Sequence, residues 1–137
     1  MLELLLLFLH LAANFVWIGS IVAVGLIAGA STGTPKERGS LALGIYRGLS
    51  TPAFLISITA GVGRLSLSLP AYFGESHYMH AKLTLAVAVI GLHHVLGARV
   101  KRMARGELQD FSKGPLLAKL LLGIATLTAF FAVYKPF

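Results

Sequence analysis

The sequence predicts an all-α protein, a four-transmembrane-helix bundle forming a single integral membrane domain over residues 1–137, with both termini on the outer side. Three observations predict it. Of the residues, 56% are hydrophobic and only 12% are charged, which is outside the range of soluble domains. The apolar residues gather into runs at roughly 2–29, 41–69, 77–98 and 115–134, each near or above the ~20 residues a spanning helix needs. Nine of the twelve lysines and arginines surround the first and third connections: Lys36, Arg38, Arg47, Arg99, Lys101, Arg102, Arg105, Lys113 and Lys119. The positive-inside rule puts those connections in the cytoplasm and leaves the termini outside. Topology therefore accounts for the basic charge, and no nucleic-acid partner is expected.

The first run is read as a retained helix and not as a signal peptide. It lacks a basic n-region, carries Glu3 instead, and outlasts an h-region. Its stretch "LHLAANFVWIG" places His10, Asn14 and Trp17 at i, i+4 and i+7, on one helical face. Imidazole, amide and indole groups are costly against lipid, so this face should point into the bundle. For His10, a hydrogen bond to a backbone carbonyl competes with a cofactor or catalytic role.

"ASTGTPKERGS", residues 30–40, reads as the first loop, with Gly33, Pro35 and Gly39. In the second run Pro52, after Ser50 and Thr51, should bend the helix and free a carbonyl. Arg64 lies towards the far end of this run. Pro70 and Gly74 mark the second loop.

The third run carries the most polar groups. His80 and His94 are fourteen residues apart, so they lie within about 40° of each other and roughly 21 Å apart along a helix. Thr84, Val87 and Gly91 continue their face and His77 extends it, whereas Lys82 and His93 point elsewhere. His93 and His77 are read as interfacial. For His80 a helix-start cap is the structural alternative, and for Lys82 snorkelling to the interface. His93 and His94, with Arg47 and Arg99, form a weaker second cluster. Residues Arg99 to Arg105 should prolong the helix beyond the bilayer as a basic stub. Pro115 suits the first turn of the fourth helix. No cysteine is present, which excludes disulfides and thiolate chemistry.

Histidines on facing membrane helices suggest a metal or haem. "LHLAANFVWIG", "YRGLSTPAF" (46–54) and "YMHAKLTLAVAVIGLHHVLGARVKRMARGE" (78–107) together resemble the HemJ-type protoporphyrinogen oxidases and the related CopD-like membrane proteins. His10, Pro52, His80, Lys82 and His94 match the family's recurring positions. The resemblance implies a multi-pass protein of the bacterial inner membrane, so that the outer side is periplasmic. It implies haem b, one or possibly two, and oxidation of protoporphyrinogen IX to protoporphyrin IX with electrons passed to a quinone. On it, His10 and His80 are the expected metal ligands, with Asn14, Trp17 and Arg64 beside the cofactor. Lys82 and His94 are the expected catalytic residues, and Lys82 and Arg64 would neutralise propionates. The family's first helix usually ends in an Arg-Leu-Phe-type segment, where this chain reads "VGLIAGA". That departure favours a second reading, a non-enzymatic cytochrome b-like or accessory subunit of a larger membrane electron-transfer complex. A CopD-like copper-handling protein ranks third. It lacks soft sulfur ligands, because Met1, Met79 and Met103 do not cluster in sequence. The lipid bilayer is the expected partner, joined by a tetrapyrrole and a quinone in an enzyme. Gly19, Gly25 and Gly29 offer small-residue surfaces for a homo-oligomer or larger complex.

Overall fold

The computed structural model describes residues 1–67, 69–73 and 78–134. His77 and Gly74 lie outside them. The chain forms α1 (Leu2–Ala28), α2 (Pro35–Ile45), a π-helical turn (Tyr46–Ser50), α3 (Thr51–Leu67), a short α4 (Leu69–Phe73), α5 (Tyr78–Ala104) and α6 (Gly114–Tyr134). Joined through the π turn, α2 and α3 make one span of 33 residues, so four helices are long and apolar enough to cross a membrane. The shortest, α6, has 21 residues and a length of about 31 Å, enough for the hydrocarbon core. Among the described residues there is no strand. Phe8, Phe15 and Val133 turn 66%, 85% and 74% of their surface outward. So much exposed apolar surface is suited to lipid and not to water.

The second span starts earlier than the run at 41–69 predicts. Thr34 accepts a hydrogen bond from the Glu37 amide while the Glu37 carboxylate accepts from the Thr34 amide. This reciprocal cap, with Pro35 behind it, satisfies the first turn of α2. "TPKE" carries that signature, which the Gly-rich surroundings obscured. Thr34→Ala should lower stability by about 1 kcal/mol, read as an earlier thermal unfolding midpoint in detergent.

Pro52 disturbs the second span as expected. Its ring nitrogen has no hydrogen to offer the carbonyl one turn back, and the turn before it opens to π geometry, with the Thr51 amide bonded to the Tyr46 carbonyl. The third helix runs to Ala104, so the basic stub is helical. Arg105 then pairs with Glu107 at 2.7 Å. The fourth helix matches its expected bounds, with Pro115 in its first turn.

Helix α1 is the hub and packs on α2, the π turn, α3 and α6; α5 packs on α2 and α6. Glycine sets the closest approaches. A methyl group built on Gly25 would stand 2.7 Å from the Ala118 side chain and 2.9 Å from the Gly114 carbonyl, so small residues bring α1 and α6 together, as in membrane helix pairs generally. Gly25 and Gly29 are thus used inside the bundle, whereas Gly19 faces open space. The backbones of α3 and α5 hardly approach each other, and a cleft remains between them towards the end that carries the termini.

Candidate functional site

The polar stripe of α1 points inward, and each member finds a partner on another span. His10 Nδ1 lies 2.9 Å from the Ser57 carbonyl oxygen. A carbonyl can only accept, so Nδ1 carries the proton. Asn14 Nδ2 donates to His10 Nε2 at 3.1 Å, and the Ser57 hydroxyl donates to Asn14 Oδ1 at 2.8 Å. The His10 ring lies against Gly61, where a methyl group would come within 2.9 Å of two ring atoms. One turn on, Trp17 Nε1 donates to His93 Nδ1 at 3.1 Å. Further along, Ser50 donates to Ser20 at 2.8 Å, and Ser20 to the Trp17 carbonyl.

His93 corrects the expectation that it is interfacial. It is 0% exposed and is stacked between the rings of Tyr46 and Phe54, at centroid distances of 4.9 and 4.8 Å. Because Nδ1 accepts from Trp17, the neutral ring carries its hydrogen on Nε2, and that buried nitrogen has no hydrogen-bond partner among the described residues. A methyl group on Gly97 would overlap the outer face of Tyr46, so the ring stack is closed on that side as well. His93 is packed as core, with no space for a ligand. Trp17, expected beside a cofactor, is 4% exposed and belongs to the same core.

The structure turns α5 relative to the face that the sequence leads one to expect inward. His80, Thr84, Val87, Gly91 and His94 are all exposed, and a methyl group built on Gly91 would meet no other described element within 4 Å. The inward face holds Met79, Val89, His93, Leu96, Val100 and Met103. Adjacent residues are about 100° apart on a helix, so choosing His94 over His93 rotated the assignment by that angle. His80 sets its ring edge against Phe73 at 5.4 Å and does not line the cleft. His94 touches Phe54 and His93 edge-on. It lies about 18 Å along the axis from Lys82, so the two expected catalytic residues are not brought together.

The cleft does gather three of the expected residues. His10 contributes from α1, Arg64 from α3 and Lys82 from α5, with Tyr72 and Met79 completing the polar and polarisable part of the wall. The cavity holds about 150 Å³, and Val62 and Leu83 on its walls are 60% and 38% exposed. Arg64 and Lys82 act electrostatically on each other and on His10. Among the described residues neither cation forms a salt bridge with a carboxylate. Two neighbouring cations beside a neutral imidazole suit an anionic group on an apolar body.

Haem fits this donor set in part. His10 has the Nδ1–H···O=C bond that orients ligating imidazoles, and Arg64 and Lys82 suit propionates. His80 does not fit as the opposite ligand, because it stands on the exposed face. The cavity is also smaller than the roughly 300–1,000 Å³ of most ligand pockets, so a macrocycle here would be held along one edge with the remainder in the bilayer. Among the described residues no group of three or more His, Cys, Asp or Glu is arranged to hold a metal ion.

Ser57, Ser50, Ser20 and His93 are the site and core residues that sequence reading missed. Their signal was present. Ser50, Ala53, Ser57 and Ala60 follow at i, i+3, i+7 and i+10 and form a small-residue face against α1.

Fold and site together define a multi-pass membrane protein with an internal polar ladder and a cationic cleft between two of its spans. Comparison with protein-family models, with curated proteins and with solved structures returns no match.

Proposed function

We propose that the chain is a tetrapyrrole-handling oxidoreductase of the HemJ type, lodged in the bacterial inner membrane with both termini periplasmic. The observation that carries this reading is the pair Arg64 and Lys82, without carboxylate partners among the described residues, on two walls of a cleft that His10 also lines. The basic residues of the first and third connections support the orientation. An apolar tetrapyrrole enters sideways from the bilayer between α3 and α5, and its propionates are drawn to the two cations. His10, neutral and protonated on Nδ1, offers its Nε2 lone pair to a proton from the substrate once the Asn14 amide withdraws. Conversion of protoporphyrinogen to protoporphyrin is three successive two-electron, two-proton oxidations. His10 therefore hands each proton on before accepting another, and the electrons leave to a quinone in the bilayer. Haem b would be held through the same Nε2 lone pair and would supply one-electron relay chemistry, and in that state His10 serves as a ligand and not as the proton acceptor.

The test has two arms. Protoporphyrin IX titrated into the nanodisc-embedded protein should quench Trp17 fluorescence. Arg64→Gln and Lys82→Gln should each weaken binding roughly tenfold, the value of one charge-assisted hydrogen bond. The wild-type chain should restore growth to cells that lack their own protoporphyrinogen oxidase. Failure of rescue by an inserted, porphyrin-binding protein would overturn the oxidase reading. It would leave a non-enzymatic tetrapyrrole or haem protein of a membrane electron-transfer complex, which the altered end of the first helix favours.

A further inference from the structure

Around His10, one serine supplies two short contacts that differ in kind, and its hydroxyl also lies 3.4 Å from His10 Nδ1. The Ser57 carbonyl accepts from His10 Nδ1 at 2.9 Å, and its hydroxyl donates to Asn14 Oδ1 at 2.8 Å. The first contact fixes the tautomer, because an unprotonated Nδ1 facing a carbonyl oxygen would bring two lone pairs together. Nε2 is then the basic nitrogen. The second contact fixes the amide. With Oδ1 held by the hydroxyl, Nδ2 faces His10 Nε2 and donates to it at 3.1 Å. The reversed amide would set Oδ1 against the Nε2 lone pair, so the two contacts specify one arrangement between them. Gly61 gives the ring no room on its other side.

We infer that Asn14 and Ser57 are positioning residues: Ser57 sets His10 in the Nδ1–H tautomer, and Asn14 masks the Nε2 lone pair until a ligand displaces the amide. This rests on the reading of His10 as the ligand-binding nitrogen of the cleft. The mask explains how a basic nitrogen is kept in an apolar bundle without drawing a proton or an adventitious metal. The lone pair is satisfied at rest, and the only bond lost on ligand arrival is that from the Asn14 amide. Asn14 can keep its hydroxyl partner or take another, so the exchange is nearly balanced. His93 offers a contrast within the same bundle. Its Nδ1 is also occupied by an N–H donor, Trp17, but the ring is enclosed on both faces and has no such release.

Nitrogen NMR of the histidine-labelled protein in nanodiscs tests the mask without any ligand, with His10→Gln used to assign the resonance. The wild type should show His10 protonated at Nδ1 and hydrogen-bonded at Nε2. Asn14→Ala and the nearly isosteric Asn14→Leu should keep that tautomer and lose the Nε2 hydrogen-bond shift. Ser57→Ala, which retains the carbonyl, should keep the tautomer and weaken the Nε2 shift as the amide turns freely. Titration with ferric haem is the second arm. Whichever Asn14 variant folds should bind about fivefold tighter than wild type, since one neutral hydrogen bond no longer has to be broken. A merely structural asparagine would give unchanged or weaker binding and would overturn the mask. An Nε2–H tautomer in the wild type would overturn the whole inference. If ferric haem binds no variant while the NMR results hold, the mask stands and the haem reading of the cleft falls.

Discussion

His93→Ala should be the most damaging single truncation in the bundle, at about 3 kcal/mol, measured by reversible unfolding in detergent–denaturant mixtures. Three losses combine. The Trp17 indole N–H, buried with its partner, is left without an acceptor in a region where water cannot replace it. The stacks with Tyr46 and Phe54 disappear, each worth of order 1 kcal/mol. A ring-sized void opens in a core that has no flexible neighbour on either face. His93→Phe separates these contributions. It keeps the stacks and the volume, removes the unpartnered Nε2, and orphans only Trp17, so its cost should be about 1 kcal/mol. Equal costs for the two variants would mean that the hydrogen bond alone matters and that the stack carries no stability.

Gly97→Leu should be nearly as severe, because it acts on the same stack through Tyr46. A methyl group at this position already overlaps the Tyr46 ring, and Tyr46 has little freedom to swing away, since His93 stacks on it at 4.9 Å and Lys101 Nζ lies 5.8 Å from its centroid. Overpacking of this sort costs about 1–3 kcal/mol, and here the shift must pass into the π turn that holds Tyr46. The check is a double-mutant cycle. Tyr46→Ala creates the space that the leucine needs, so Gly97→Leu combined with Tyr46→Ala should be more stable than the sum of the single effects by roughly 1–2 kcal/mol. Additive costs would show that the clash is relieved by separation of α2 from α5 and not by the ring.

Both predictions turn on a feature that a linear reading passes over. Helix five presents two histidines side by side, and either could face inward on grounds of polarity. The sequence criterion favoured His94, because His80 shares its face and a polar stripe seemed better buried than exposed. The fold chose His93. Its side of the helix also carries Leu96, Val100 and Met103, all 0% exposed, and α2 and α6 pack on α5 there. Apolar bulk outweighed the count of polar groups, and a single ring with a specific donor in Trp17 was accommodated among it. Helix one posed no such choice. His10, Asn14 and Trp17 keep one face over two turns, and Ser20 continues it, so periodicity alone directed that stripe inward.

What the sequence determined by itself is the set of spans and the polar stripe of the first helix. Length, apolarity and the 3.6-residue repeat are local properties, and a bilayer leaves the backbone few options other than a helix. The lysine and arginine pattern likewise gives an expected orientation without any knowledge of packing. The tertiary structure alone decided which histidine became core, that Ser57 rather than His80 is the partner of His10, and that Arg64 and Lys82 share one cleft. Each of these depends on the rotation and separation of helices distant in sequence. Those are set where glycine, alanine and serine allow backbones to approach, as at Gly25 with Ala118. The gap between α3 and α5 is the converse case. Both helices satisfy their backbones internally and pack on other neighbours, so nothing local to either one specifies that they diverge.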